Sequence, residues 1–292
     1  MFNHNVGNLQ KKATVRVWLN RLMMGLFLIA TSSGLIVLGL LFYRVLTQGL
    51  GYLNLNFITG FPSPSFEDAG IWAGLIGSIL LMVIVAVVSV IIGVATSIYL
   101  EEYAPRNKWS EFVRINIQNL AGVPSIVFGL LGLTFFVYFF GIGYRLLAGG
   151  LTMALLILPI IVVASQESLR SVPNEIKEAS IGMGATKWQT IARVILPAAL
   201  PGILTGTILA LSRAIGETAP LIIVGAAAAI YTLPDSLLSK YTVMPIQIYN
   251  WTARPQEEWQ YVAGAGIIVL LAVLLLMNSV AVLIRNKFQK RL

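Results

Sequence analysis

The chain has 292 residues, 57% of them hydrophobic and 11% charged, with a mean hydropathy of +0.83 and a net charge of +8. No soluble domain of that length can bury so much apolar surface, so lipid must be its solvent. With no cysteine, a disulfide framework and thiolate metal sites are excluded and the redox compartment is undetermined.

In chain order, six apolar runs are long enough to cross a bilayer, each needing about 20 mostly apolar residues. They fall at 22–43, 71–100, 122–141, 151–165, 201–230 and 262–284. The first follows Lys11, Lys12, Arg16 and Arg21, as a signal peptide would, but it is too long for a cleaved segment and no small-x-small site closes it. It reads as a retained span behind a tail at 1–21. The loop at 44–70 is polar and rich in turn formers, with Pro62, Pro64, Glu67 and Asp68. The last outer loop carries Pro234, Pro245 and Pro255 with Tyr249, Trp251, Trp259 and Tyr261, aromatics suited to the headgroup level. It reads as an interfacial cap, a re-entrant segment or a docking surface. Pro124, Pro159, Gly216 and Pro220 interrupt spans, as helices lining protein or a wet cavity tolerate. Close packing through small residues explains Gly206 and Ala210 as well. No internal repeat is evident.

Most of the 20 basic residues lie in four places: the N-terminal tail, Arg106 with Lys108 and Arg114, Arg170 with Lys177, Lys187 and Arg193, and Arg285 with Lys287, Lys290 and Arg291. The other loops hold only Arg44, Arg145, Lys240 and Arg254. The positive-inside rule then puts both termini and the 171–197 loop in the cytoplasm. The basic excess encodes topology rather than a nucleic-acid footprint.

Residues 171–197 read as two short amphipathic helices folded about Gly184, ending at Leu196 and Pro197. Pro173 suits a first turn, with Glu175 and Glu178 near its positive end. Thr186 and Gln189 have capping-box spacing. Ile176, Ala179 and Met183 share one face, and Trp188 and Ile191 a side of the second helix. Such a hairpin fits a groove on a soluble partner or a bed of headgroups about equally well.

Arg213 lies ~18 Å along a helix entered at Pro201, past the midpoint of a hydrocarbon core roughly 30 Å thick. Glu217 is one turn further on the same face. An arginine at that depth costs about 2.5–3.5 kcal/mol on insertion scales. A structural ion pair is one account. The other is a polar path in which the guanidinium fork meets two oxyanion oxygens, and helices broken beside mid-depth charges are common at transport sites. Enzyme chemistry has little to work with. The one histidine is His4, and Asp68 and Asp235 lie in loops. No Gly-x4-Gly-Lys-Ser/Thr phosphate loop is present, so ATP chemistry of that kind would need another polypeptide.

Glu178-Ala179-Ser180, three residues, Gly184, nine residues and Val194-Ile195-Leu196-Pro197 resemble the EAA loop of type I ABC importer permeases. Ser180 replaces the second alanine and Val194 the isoleucine. The runs Leu120-Ala-Gly-Val-Pro-Ser-Ile-Val-Phe-Gly129 and Leu211-Ser-Arg-Ala-Ile-Gly-Glu-Thr-Ala-Pro-Leu221 resemble phosphate-specific ABC transporter permeases, the Glu-Thr-Ala-Pro ending that of the A-type (PstA) subunit. The resemblance implies an all-α membrane protein of the MetI-like fold: six transmembrane helices, a permease core at 71–284, a cytoplasmic coupling-helix loop and a C-terminal tail at 285–292. It further implies residence in the bacterial cytoplasmic membrane and phosphate as substrate. The implied partners are a second homologous permease, two ATPases holding ATP and Mg2+, and an extracytoplasmic phosphate-binding protein, with no cofactor on this chain. It assigns Arg213, Glu217 and Thr218 to the substrate pathway, and Glu178, Ala179, Ser180, Gly184, Leu196 and Pro197 to ATPase coupling. Another oxyanion such as sulfate or molybdate is the close alternative, an autonomous channel or secondary transporter the distant one.

Overall fold

The structure, a computed structural model, describes residues 3–227 and 229–289, and every regular element in it is helical. Residues 290–292, with Lys290 and Arg291 of the basic C-terminal group, lie outside the described residues.

Helix α1 spans Asn3–Gly49, well beyond the expected 22–43 at both ends. The first proline of the chain is Pro62, so nothing in this stretch interrupts the ladder. The Arg16–Gly49 part is long and apolar enough to cross a membrane. It stands apart from the bundle, meeting α12 (Glu258–Gln289) where Gly49 packs on the backbone of Gly264. Within the outer loop, α2 (Leu55–Thr59) is capped by Asn54, whose Oδ1 accepts the Phe57 N–H at 2.8 Å. Phe57 is buried with Ile71, Trp251, Trp259 and Val262.

The core is built from α3 (Trp72–Ile98), α5 (Ser125–Gly132), α6 (Leu146–Arg170) and α9 (Leu196–Ile215). Helix α6 is central. It runs unbroken through the buried Pro159 and is longer than the 151–165 expected, because its polar last turn leaves the apolar zone without unwinding. It meets α9 along a seam of small residues, with Gly202 against Ser168 and Gly206 against Ala164, the close approach that small-xxx-small spacing permits.

Three π-helical stretches extend these elements: Tyr99–Tyr103 after α3, Leu133–Phe139 after α5 and Ile191–Ile195 before α9. The last has a visible cause. Pro197 has no N–H for the Arg193 carbonyl, and the preceding turn widens so that the Leu196 N–H bonds Ile191.

Two expectations are corrected. The stretch with Arg106, Lys108 and Arg114 is a loop only to Asn107. From there α4 (Lys108–Leu120) runs as an amphipathic helix started by the Asn107 side chain and turned 106° from the Ser125–Phe139 span. The fifth span does not reach residue 230. It stops at Ile215, and the chain re-enters through α10 (Ala219–Ile223), an irregular stretch and α11 (Met244–Thr252). Much of this segment is buried, including Pro220, Leu221, Val224, Tyr241 and Met244 to Ile248. The last outer loop is thus packed into the bundle over much of its length rather than lying wholly on its surface.

Filling the α6–α9 seam should separate the helices. Gly206→Val is expected to destabilise the fold by about 1–3 kcal/mol, the usual cost of overpacking, seen as a lower melting temperature of the detergent-solubilised protein while Leu209→Val, at an exposed position on α9, stays near wild type.

Candidate functional site

The break after α9 has a local origin. Gly216 is a poor helix former, and Pro220 has no N–H for the Gly216 carbonyl. The last bonds shorten to Gly216 N–H on Arg213 O at 3.3 Å and Glu217 N–H on Ala214 O at 3.2 Å. Thr218, half-buried and without a side-chain cap bond, starts α10, and Gly225 (φ +81°) turns the chain afterwards. Arg213 therefore occupies the last turn of α9, where the helix dipole favours a cation.

Arg213 Nε lies 3.5 Å from Glu217 Oε1, with the arginine side chain 51% exposed and the glutamate 20%. Its neighbours set its level in the bundle. Ala214 and Ile215 line a small void with Ser78, Leu81 and Met82, about 15 Å along α3 from Trp72. Ser212 donates to Asn278 Oδ1 on α12. The first contact lies a little over a third of the way along α3 and the second about two-thirds of the way along α12, so the pair lies well inside the bundle. The side chains of Ala214 and Ile215 are buried, so Arg213 points away from its own bundle.

The two runs quoted above as 120–129 and 211–221 touch. A Cβ at Gly129 would lie 2.8 Å from Pro220 Cα and 3.0 Å from Ile223 Cδ1, so glycine is what lets α5 seat on α10. Among the described residues, no group of three or more His, Cys, Asp or Glu side chains converges.

At the other end of the same rod lies the hairpin. Helix α7 (Asn174–Gly182) ends in a turn where Gly184 has φ +88°, a conformation that strains any residue with a Cβ. Then α8 (Lys187–Thr190) opens with a full capping box. Thr186 Oγ1 accepts the Gln189 N–H at 3.3 Å, and Gln189 Oε1 accepts the Thr186 N–H at 2.9 Å. Helix α8 is not a separate short helix. It runs on through the π turn into α9, giving one rod from Lys187 to Ile215.

Glu178, Ala179 and Gly184 are exposed, along with Ile176, Ile181, Met183 and Trp188. Ile191 is not on that surface. It is 1% exposed and packs with Leu169, Val172 and Ile195, so it and Trp188 face apart. Leu196 joins the edge of that cluster, and Pro197 opens α9.

Residues 93–292 match the family described as binding-protein-dependent transport system inner membrane component. The chain belongs to that family. It is 31% identical over 277 residues to the phosphate transport system permease protein PstA of Yersinia pestis, covering 93% of this chain and 92% of the relative. To PstA of Haemophilus influenzae it is 32% identical over 264 residues, covering 89% and 91%. To the probable ABC transporter permease protein YqgI of Bacillus subtilis it is 37% identical over 204 residues, covering 70% and 69%. Among solved structures it resembles the inward-facing MetNI methionine ABC transporter, with a TM-score of 0.63 at 19% identity over 75% of this chain and 97% of that one. It also resembles a bacterial alginate ABC transporter in complex with its pentasaccharide-bound periplasmic protein, with a TM-score of 0.65 at 16% identity over 92% and 94%. The fold is that of the type I ABC importer permeases, and the chain is a multi-pass membrane protein.

Within this permease fold two polar residues escaped the sequence reading. Ser212 and Asn278 join α9 to α12 beside the arginine; the signal was a lone amide inside the apolar run 262–284. Ser180 also means more than a volume-conserving exchange. It is 5% exposed, and its Oγ lies 2.9 Å from Thr190 Oγ1, tying α7 to the start of the rod. Ser180→Ala should loosen the hairpin by about 1 kcal/mol, the net worth of a typical hydrogen bond. Faster amide exchange in α7 would show it, and adding Thr190→Val should cost little more.

Proposed function

We propose that this chain is the A-type permease subunit of an ATP-driven importer that moves inorganic phosphate across the bacterial cytoplasmic membrane by alternating access. Its core is residues 71–284 and both termini face the cytoplasm. It works beside a second homologous permease, two ATPases that bind ATP and Mg2+, and an extracytoplasmic phosphate-binding protein.

One observation carries this. A half-exposed guanidinium near mid-depth ends a rod whose far end is the hairpin. Facing lipid, that charge would be unfavourable by about 2.5–3.5 kcal/mol. Facing a second permease across a wet path, it is solvated and free to receive an anion. The relatives named PstA point to phosphate, and the guanidinium fork suits two of its oxygens.

Glu217 holds Arg213 and offsets its charge, so the anion is released rather than trapped. It also offers an acceptor for a protonated phosphate oxygen, which fully ionised sulfate cannot supply. Thr218, at the first turn of α10, completes the polar edge of the break. On the cytoplasmic side Glu178, Ala179 and Gly184 sit in a cleft of the ATPase, with Ser180, Leu196 and Pro197 holding the hairpin on its rod.

Arg213→Ala, in a complex that still co-purifies with its ATPase, should lower phosphate uptake roughly 10- to 100-fold, the loss of one or two charged hydrogen bonds. Arg213→Lys should keep part of the flux. Unchanged uptake in the alanine variant would overturn the pathway role. Glu217→Gln should admit sulfate in competition assays; intact sulfate rejection with intact phosphate flux would remove the selective role of Glu217.

A further inference from the structure

Four helices converge on the last turn of α3. In the π turn Tyr99–Tyr103, Glu101 takes Arg170 from the end of α6 in a two-pronged bond, Nε to Oε2 at 3.0 Å and Nη2 to Oε1 at 2.9 Å. Arg114 of α4 stands 3.4 Å from the same carboxylate and also donates to the Leu100 carbonyl. Glu102 takes Lys177 of α7, Nζ to Oε1 at 2.7 Å. Tyr103 carries the Lys187 ammonium of α8 over its ring, 4.8 Å from the centroid. Successive residues of this turn point in different directions, so each reaches a different neighbour.

The two carboxylates are nearly withdrawn from solvent, at 10% and 11% exposed, and Lys177 is 20% exposed. Exposed ion pairs contribute little, whereas desolvated ones hold their geometry because separating them strands a charge. Beneath the polar layer, Val94 and Ile98 of α3 pack on Leu169, Val172, Ile191 and Ile195. Helix α7 thus turns Glu178 and Ala179 outward, and Lys177 and Ser180 inward. Of the two acidic residues, Glu102 is the one that reaches the hairpin helix itself.

We propose that Glu102 is the positioning residue through which the hairpin moves α3. A push on the outer face of α7 passes through Lys177 to Glu102 and so to α3, whose Leu81 and Met82 lie against the turn bearing Arg213. The rod α8–α9 is then one of two arms, α3 the other, and both arms reach the break. This rests on the hairpin being the ATPase contact, as proposed above, but not on the identity of the transported ion.

The test uses the full transporter complex. Because the chain has no native cysteine, paired spin labels go on Val87→Cys of α3 and Leu275→Cys of α12, both exposed. ATP should change their separation. Glu102→Gln and Lys177→Met should each reduce that change about fivefold or more, and the reversed pair, Glu102→Lys with Lys177→Glu, should restore it. No ATP response in the parent complex, a full response in the single variants, or no recovery in the reversed pair would overturn the inference. If a single variant fails to assemble, the reversed pair decides alone. Phosphate uptake by the parent complex is measured alongside: a persisting ATP response without phosphate uptake would sink the substrate assignment and leave the Glu102 role standing.

Discussion

Hydrocarbon offers nothing to a bare backbone amide or a charge, and the centre of this protein is organised around that refusal. Ending α9 at Ile215 opens a stretch of irregular backbone in the depth of the bundle, which is tolerable only inside protein or beside water. The chain meets the requirement by folding that stretch back onto itself and its neighbours. The Ala227 N–H bonds Tyr241 O at 2.9 Å, the Leu146 and Leu147 N–H groups bond Ser239 and Leu237, and the Met244 N–H bonds Ser78 Oγ at 2.9 Å. Glycines at 74, 77 and 149 give the returning segment room against α3 and α6. The irregular stretch that follows the local break is therefore held by residues more than twenty positions beyond Ile215.

That dependence explains what could and could not be read from the chain. Arg213 and Glu217 stood out because charges are rare in an apolar run, and their one-turn spacing was enough to pair them. Gly184, Thr186 and Gln189 stood out because their chemistry is local: a left-handed turn and a capping box need only near neighbours. The end of the fifth span differs from the sequence expectation because hydropathy does not distinguish a crossing helix from an apolar segment buried in the bundle. The sequence from Leu221 to Ile230 is as apolar as a crossing helix, although Gly216 and Pro220 mark the break before it; α10 (Ala219–Ile223) packs against α5 and α6 instead of continuing α9. Helix α4 is hidden for the converse reason: its charged and apolar residues alternate over only 13 residues, too few and too polar to register as a span. The acidic pair at 101 and 102 gave no local sign, since its partners lie as far as 75 residues away.

The hairpin shows how a departure from a family pattern acquires meaning. Ser180, read in sequence as a slightly larger alanine, joins two helices through its hydroxyl. Trp188 and Ile191 both lie on the first turns of the rod, yet Ile191 packs against Leu169 and Val172 while Trp188 stays exposed. Ile176, Ala179, Met183 and Trp188 remain exposed, while a hydroxyl pair and a desolvated ion pair tie α7 to its neighbours from behind.

The unbroken course from Lys187 to Ile215 sets a mechanical scale. Twenty-six residues separate Lys187 from Arg213, roughly 39 Å at the helical rise. For a stiff lever of that length, tilting about the hairpin end by about 10° swings the far tip by about 7 Å, more than the width of a small tetrahedral ion. A modest tilt at the hairpin end is therefore geared into a displacement of several ångströms at the turn that carries Arg213.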